Sequence, residues 1–150
     1  MAVTQYKAET FDIRDSLGYL LTHVKQEWLD ALEKELAPLD LTTAQYIVIV
    51  KLGSNRAGTP ADLCKAMQYD TGAMTRLLDR VEAKGLIKRV AHGGDRRCVG
   101  LEITEEGKEL YPKLIQILVG LNRKALKGFS KDEAASLERM LRRVALNLGD

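Results

Sequence analysis

Two short segments carry most of the chemistry this chain can offer. The first, "DTGAMTR" at residues 70–76, turns Thr71, Gly72, Thr75 and Arg76 away from an apolar stripe of Met74, Leu77, Leu78 and Val81. Small and short polar residues at the start of a helix let its backbone approach a duplex, and an arginine one turn in can reach a guanine edge or a phosphate. The second, "HGGDRR" at residues 92–97, joins two runs that read as strands. Two glycines accept the positive φ of a tight turn, but a solvated turn does not need two adjacent arginines. A narrow tip bearing guanidinium groups suits a minor groove, whose negative potential is concentrated where it is narrow. Here Asp95 is placed to orient the guanidinium of Arg97 through a bidentate pair. Lys88 and Arg89 on the preceding strand are candidate phosphate contacts, and Arg96 joins Arg97 at the wing.

Catalytic chemistry finds little support. GxSxG, HExxH, P-loop and GxGxxG motifs do not occur, and neither histidine, His23 or His92, sits in a carboxylate pattern suited to acid–base work. A metal site assembled from those histidines and two scattered cysteines, Cys64 and Cys98, has no ligand spacing behind it, so neither a metal nor a cofactor is expected. The reading is therefore not an enzyme. Cys64 falls on the apolar side of a short helix and reads as a small hydrophobe. Cys98 follows the wing arginines, a setting that keeps a redox-responsive regulator as an alternative.

Charge distribution supports a polyanionic partner. The chain has 150 residues and a net charge of +2, but residues 1–55 carry −3, residues 56–100 carry +4 and residues 101–150 carry +1. The basic excess lies around the two segments above, the pattern of a local anion-binding surface. At 45% hydrophobic the chain can fill a core. No run reaches the roughly 18 apolar residues of a membrane span, and the N-terminal stretch lacks the features of a secretory leader. A cytoplasmic, nucleoid-associated protein without a membrane partner is expected.

The elements that position these segments can be read from periodicity and caps. Residues 13–36 place Leu17, Leu20, Leu21, Val24, Trp28, Leu32 and Leu36 at helical spacing, closed by Pro38. Thr42 and Gln45 have capping-box spacing for a helix ending at Gly53, which outweighs the strand alternative for "YIVIVKL". Thr59-Pro60-Ala61-Asp62 opens a short helix through Met67, and Asp70 or Thr71 caps the next, which stops at Gly85. Strands are expected at Leu86–Val90 and around Val99, Leu101 and Ile103. Thr104 then caps a long helix with Leu110, Leu114, Ile117, Leu118 and Leu121 inward, and Ser130 with Glu133 caps a last one through Leu148. The expected fold class is mainly α with a small β-hairpin wing.

The stretch "TPADLCKAMQYDTGAMTRLLDRVEAKGLIKRVAHGGDRRCVGLEITEEGKEL" resembles the winged helix-turn-helix of the MarR family of bacterial regulators. Asp95 and Arg97 match that family's Asp-x-Arg, and "LEITEEG" matches the following strand and LTxxG, with Ile103 replacing the usual leucine. The likeness extends over roughly residues 10 to 148. It implies a DNA-binding lobe at 42–104 and dimerisation helices at 10–37 and 105–148 within one 150-residue unit. It also implies a homodimer on a double-stranded, pseudo-palindromic DNA operator, with Thr71, Thr75 and Arg76 in the major groove and Arg97 in the minor groove. Some relatives are thiol sensors with a reactive cysteine near the start of the first helix, where this chain has none. Others bind small aromatic effectors in a cleft beside the dimer helices. Tyr19, His23, Trp28 and Tyr46 are the residues that would line such a cleft here. A winged-helix protein-interaction module that does not touch DNA is the class-distinct alternative.

Overall fold

Side-chain caps set most of the helix starts. The structure is a computed structural model that describes residues 6–149. Two short 3₁₀ turns, Ala8–Thr10 and Ile13–Asp15, precede helix α1, Leu17–Leu36. Ser16 accepts the Tyr19 amide and starts α1 there, so the periodicity that extends back to residue 13 overshoots the helix itself. A third 3₁₀ turn, Ala37–Leu39, ends at Asp40 in the left-handed region (φ 53°). Helix α2, Thr43–Gly53, has both halves of the Thr42/Gln45 capping box, which settles helix over strand.

Helix α3, Pro60–Met67, is capped reciprocally by Thr59 and Asp62 and leaves through Gln68 in the left-handed region (φ 55°). Helix α4, Thr71–Ala83, begins at Asp70, whose carboxylate accepts the Ala73 amide at 2.8 Å. It ends in a Schellman pattern: the Gly85 amide donates to Glu82 and the Leu86 amide to Val81, with Gly85 at φ 72°. Strands β1, Ile87–His92, and β2, Asp95–Ile103, pair antiparallel. Helices α5, Glu105–Ala125, and α6, Lys131–Gly149, complete the chain, and Ser130 and Glu133 form the capping box before α6.

The β-hairpin differs from its expected form. Only Gly93 and Gly94 make the turn, with φ of 65° and 75°, the two consecutive positive values that a type I′ connection requires. The strands consequently reach His92 and Asp95, and the arginines follow the tip on β2 rather than forming the tip. Ala91 pairs with Val99 and His92 with Asp95, so Arg96, Arg97 and Cys98 have no counterparts on β1. Such an insertion bends the strand and re-aims its side chains.

One core runs through the lobe. Leu36, Val48, Ile49, Leu63, Met74, Leu78, Val81, Ile87 and Leu114 are fully buried, which brings α1 to α5 and β1 into one cluster. Truncating such a leucine to alanine costs about 2–5 kcal/mol. The wing is anchored at its base: the Leu101 amide donates to the Gly58 carbonyl at 2.8 Å, and Thr104 caps α5 while donating to the Gly85 carbonyl at 2.6 Å. A β-carbon on Gly107 would strike the Leu86 carbonyl, so this glycine permits α5 to pack against the α4–β1 turn.

The two ends of the chain behave differently from its middle. Leu17, Leu20 and Val24 on α1 and Leu137, Met140, Leu141, Leu146 and Leu148 on α6 are exposed, and α6 has no buried residue. Leu114 and Leu121 fill the chain's own core, so within the expected dimerisation helices at 10–37 and 105–148 it is α1 and α6 that keep leucines uncovered.

Candidate nucleic-acid interface

The N-terminal end of α4 presents Thr71, Gly72, Thr75 and Arg76 to solvent while Met74, Leu77, Leu78 and Val81 fix the opposite face in the core. The Thr75 hydroxyl donates to the Thr71 carbonyl at 2.9 Å. Its proton is thereby used within the helix, and it presents an oxygen acceptor and a methyl group outward. A β-carbon at Gly72 would lie 3.3 Å from the Asp70 carboxylate and 3.5 Å from the Arg76 guanidinium, tighter than ordinary contact on the first. Glycine there leaves the cap undisturbed and the backbone open to close approach.

On the wing, Arg97 is exposed and its main-chain amide donates to Asp95 Oδ1 at 2.8 Å. Asp95 therefore orients Arg97 through the backbone, not by the expected guanidinium pair. An aspartate two residues upstream satisfies the nearer amide at little entropic cost. The guanidinium is left free of that carboxylate. The side chain of Arg96 lies outside the described residues. Lys88 is more than half exposed and stands 3.4 Å from Glu102, a solvent-screened pair that leaves it accessible to an anion.

Arg89 departs from the expected phosphate contact. Its guanidinium spans two carboxylates of α4, Asp79 and Glu82, each at 2.7 Å, and its side chain is only one-third exposed. Partial burial opposes the charge, but the hydrogen bonds the guanidinium donates to Asp79 and Glu82 outweigh it and raise the guanidinium pKa. Arg89 thus staples β1 to α4. Its partners are seven and ten residues away, beyond any local pattern in the sequence.

The four aromatic candidates divide between surface and core. Tyr19 and His23 stack on the exposed side of α1 with ring centroids 5.9 Å apart. Trp28 packs against the core, and Tyr46 is buried at 5% exposure, with its pKa pushed up to about 12 by desolvation and by Tyr111. Tyr46 is a core residue within this chain, because α2 is apolar on nearly every side and must bury all of them. A cavity of about 820 Å³ opens elsewhere, between α3, the start of α4 and the wing. Thr71, Thr75, Cys64 and Cys98 all line it. The two cysteines stand on separate elements, α3 and β2, and nothing in their spacing signals this shared cavity. Cys64 is half-buried and Cys98 exposed. Among the described residues, no group of three or more His, Cys, Asp or Glu is placed to hold a metal, and no helix is long and apolar enough to cross a membrane.

A helix with a free polar N-terminal end, a two-glycine hairpin and an arginine beside it describe a winged helix-turn-helix, and comparison with known proteins agrees. Residues 39–97 match the family model described as MarR family. The multiple antibiotic resistance protein MarR of Escherichia coli strain K12 is 36% identical over 130 residues, covering 85% of this chain and 90% of that protein. A crystal structure of a mutant E. coli MarR complexed with operator DNA superposes with a TM-score of 0.76 at 33% identity, covering 89% of this chain and 99% of that one. A putative MarR family regulator from Listeria monocytogenes complexed with a 26mer DNA gives 0.78 at 25% identity, covering 89% of each chain. The chain belongs to the MarR family and is a DNA-binding transcriptional regulator with a winged-helix fold, not an enzyme.

Proposed function

We propose that two copies of this chain grip a pseudo-palindromic operator, with the N-terminal end of α4 in the major groove and the wing alongside in the minor groove. The observation that carries this reading is the exposed, cap-fixed set Thr71, Gly72, Thr75 and Arg76, with Arg97 held by its backbone on the neighbouring wing. The DNA-bound relatives support it by analogy. In this scheme Thr75 and Arg76 contact base edges, Arg97 enters the minor groove and Lys88 meets a phosphate. The uncovered leucines of α1 and α6 support a homodimer in which the chain ends form the shared face. Repression in the cytoplasm is the regulatory mode we assign.

Control by a small aromatic effector belongs to the same proposal. Such a compound acts only through a difference in affinity between DNA-competent and incompetent states. The Tyr19–His23 stack offers an aromatic platform on α1, while the cavity bounded by Thr71 and Thr75 lies against the reading residues themselves. Because Cys64 and Cys98 share that cavity, oxidation is the second reading.

Binding to duplexes selected from a random pool, followed by fluorescence anisotropy across a salt series, tests the proposal. The expected result is a steep negative slope of log affinity against log salt. Arg97→Ala should lower affinity for all sequences, and Arg76→Ala should also relax the preferred one by about 1–3 kcal/mol per lost base contact. A flat salt response would transfer support to a protein-interaction module. Release of DNA by aromatic acids but not by peroxide supports the effector; release by peroxide that Cys98→Ser abolishes supports the thiol switch.

A further inference from the structure

The tripeptide Lys84-Gly85-Leu86, where α4 gives way to β1, is bonded to two other helix caps at once. On one side the Lys84 ammonium donates to the Asp40 carbonyl and, at 2.9 Å, to Gln45 Oε1, with the Asp40 carboxylate 3.5 Å away. Asp40 closes the turn after α1, and Gln45, only 5% exposed, closes the cap of α2 by accepting the Thr42 amide with the same oxygen. On the other side Thr104, the cap of α5, donates from its hydroxyl to the Gly85 carbonyl and from its amide to the Leu86 carbonyl at 3.1 Å. The end of α4 is therefore fixed against both the α1–α2 corner and the start of α5.

An exposed lysine pair by itself contributes little to stability. Lys84 differs in aiming its donors at a backbone carbonyl that closes the turn after α1 and at a buried amide oxygen in the first turn of α2. Its side chain is 30% exposed, so it spans the gap between elements instead of extending into solvent. The contact joins residues 39 and 44 positions apart, which makes it a tertiary latch.

Leverage gives the latch its consequence. Helix α4 has 13 residues, about 20 Å of length at 1.5 Å per residue, and the reading residues sit at the end away from Lys84. A tilt of about 10° at the latch moves Thr71 by roughly 3.5 Å, close to the rise of one base-pair step of about 3.4 Å, and Arg76 by roughly 2 Å. We propose that Lys84 is a positioning residue that sets the angle of α4 relative to the α1–α2 corner and thereby the half-site spacing the dimer accepts. This rests on the operator-bound dimer proposed above.

The test compares wild type, Lys84→Met and Lys84→Arg on duplexes carrying two selected half-sites at the preferred spacing and at one base pair shorter or longer, together with a single half-site. Wild type should discriminate against the altered spacings at least tenfold. Lys84→Met should reduce that discrimination threefold or more, read as the ratio of affinities at the altered and preferred spacings well below the thermal midpoint of each variant, so that neither a change in single half-site affinity nor a lowered midpoint enters the ratio. Lys84→Arg, which keeps cationic donors, should hold the preference within twofold. Unchanged discrimination in Lys84→Met overturns the proposal, as does equal loss in both variants. Wild type that binds no paired half-sites at any spacing overturns the dimer reading instead, and the spacing role with it.

Discussion

Replacing Arg89 by methionine separates two roles that a wing arginine can have. The side chain keeps its apolar stem but loses both contacts to α4, the 2.7 Å pairs with Asp79 and Glu82. Ion pairs of this accessibility contribute about 0.2–1 kcal/mol each, and the close, charge-assisted geometry puts both near the upper end. The loss is about 1–2 kcal/mol in all, and for a chain of this size each kcal/mol corresponds to about 2–4 °C in thermal midpoint. Arg89→Met should therefore lower the midpoint by about 2–8 °C. A residue neutralising one phosphate also contributes about 0.9 to the slope of log affinity against log salt. The structure has Arg89 engaged elsewhere, so the variant should bind DNA more weakly through a loosened wing with an unchanged slope. Differential scanning calorimetry and anisotropy at four salt concentrations read both quantities. A slope shallower by about one with no fall in midpoint would refute the staple and return Arg89 to the phosphate backbone.

Further perturbations probe the scaffold. Gly107→Ala places a methyl group against the Leu86 carbonyl and 2.5 Å from an Ile103 side-chain carbon, and overpacking of this kind costs about 1–3 kcal/mol, measurable by urea unfolding. Tyr46, with its pKa raised from 10.0 to about 12, stays neutral in the folded chain while the unfolded chain ionises near 10. Its contribution is fully present below pH 10 and is lost as pH rises to about 12, by up to about 2–3 kcal/mol. Tyr46→Phe should flatten that part of the stability–pH profile. Leu141→Glu introduces a charge into the uncovered face of α6, and sedimentation should show a monomer where wild type shows a dimer.

Local rules carried most of the fold. Thr42 with Gln45, Thr59 with Asp62 and Ser130 with Glu133 are capping pairs within four residues, and each is legible because both partners lie in one turn of chain. The solvent-facing set on α4 was readable for a related reason: its apolar stripe leaves only one face free. What escaped depends on distance along the chain or on choices among equivalent neighbours. Asp95 could engage either the amide or the guanidinium of Arg97, and sequence does not distinguish them. Arg89 finds carboxylates that α4 brings to it only after the hairpin folds back. Tyr46 lies on a helix without a polar side, so no periodicity tells which of its faces is buried.

In the proposed binding mode the free end of α4 and the wing read one duplex together as a symmetric pair. Hydroxyl-radical footprinting of wild type on a selected operator tests it most directly. Two protected blocks are expected, their centres about one helical turn or roughly 34 Å apart, each flanked by minor-groove protection that disappears in Arg97→Ala. A single unpaired block, or flanking protection that survives Arg97→Ala, would contradict it.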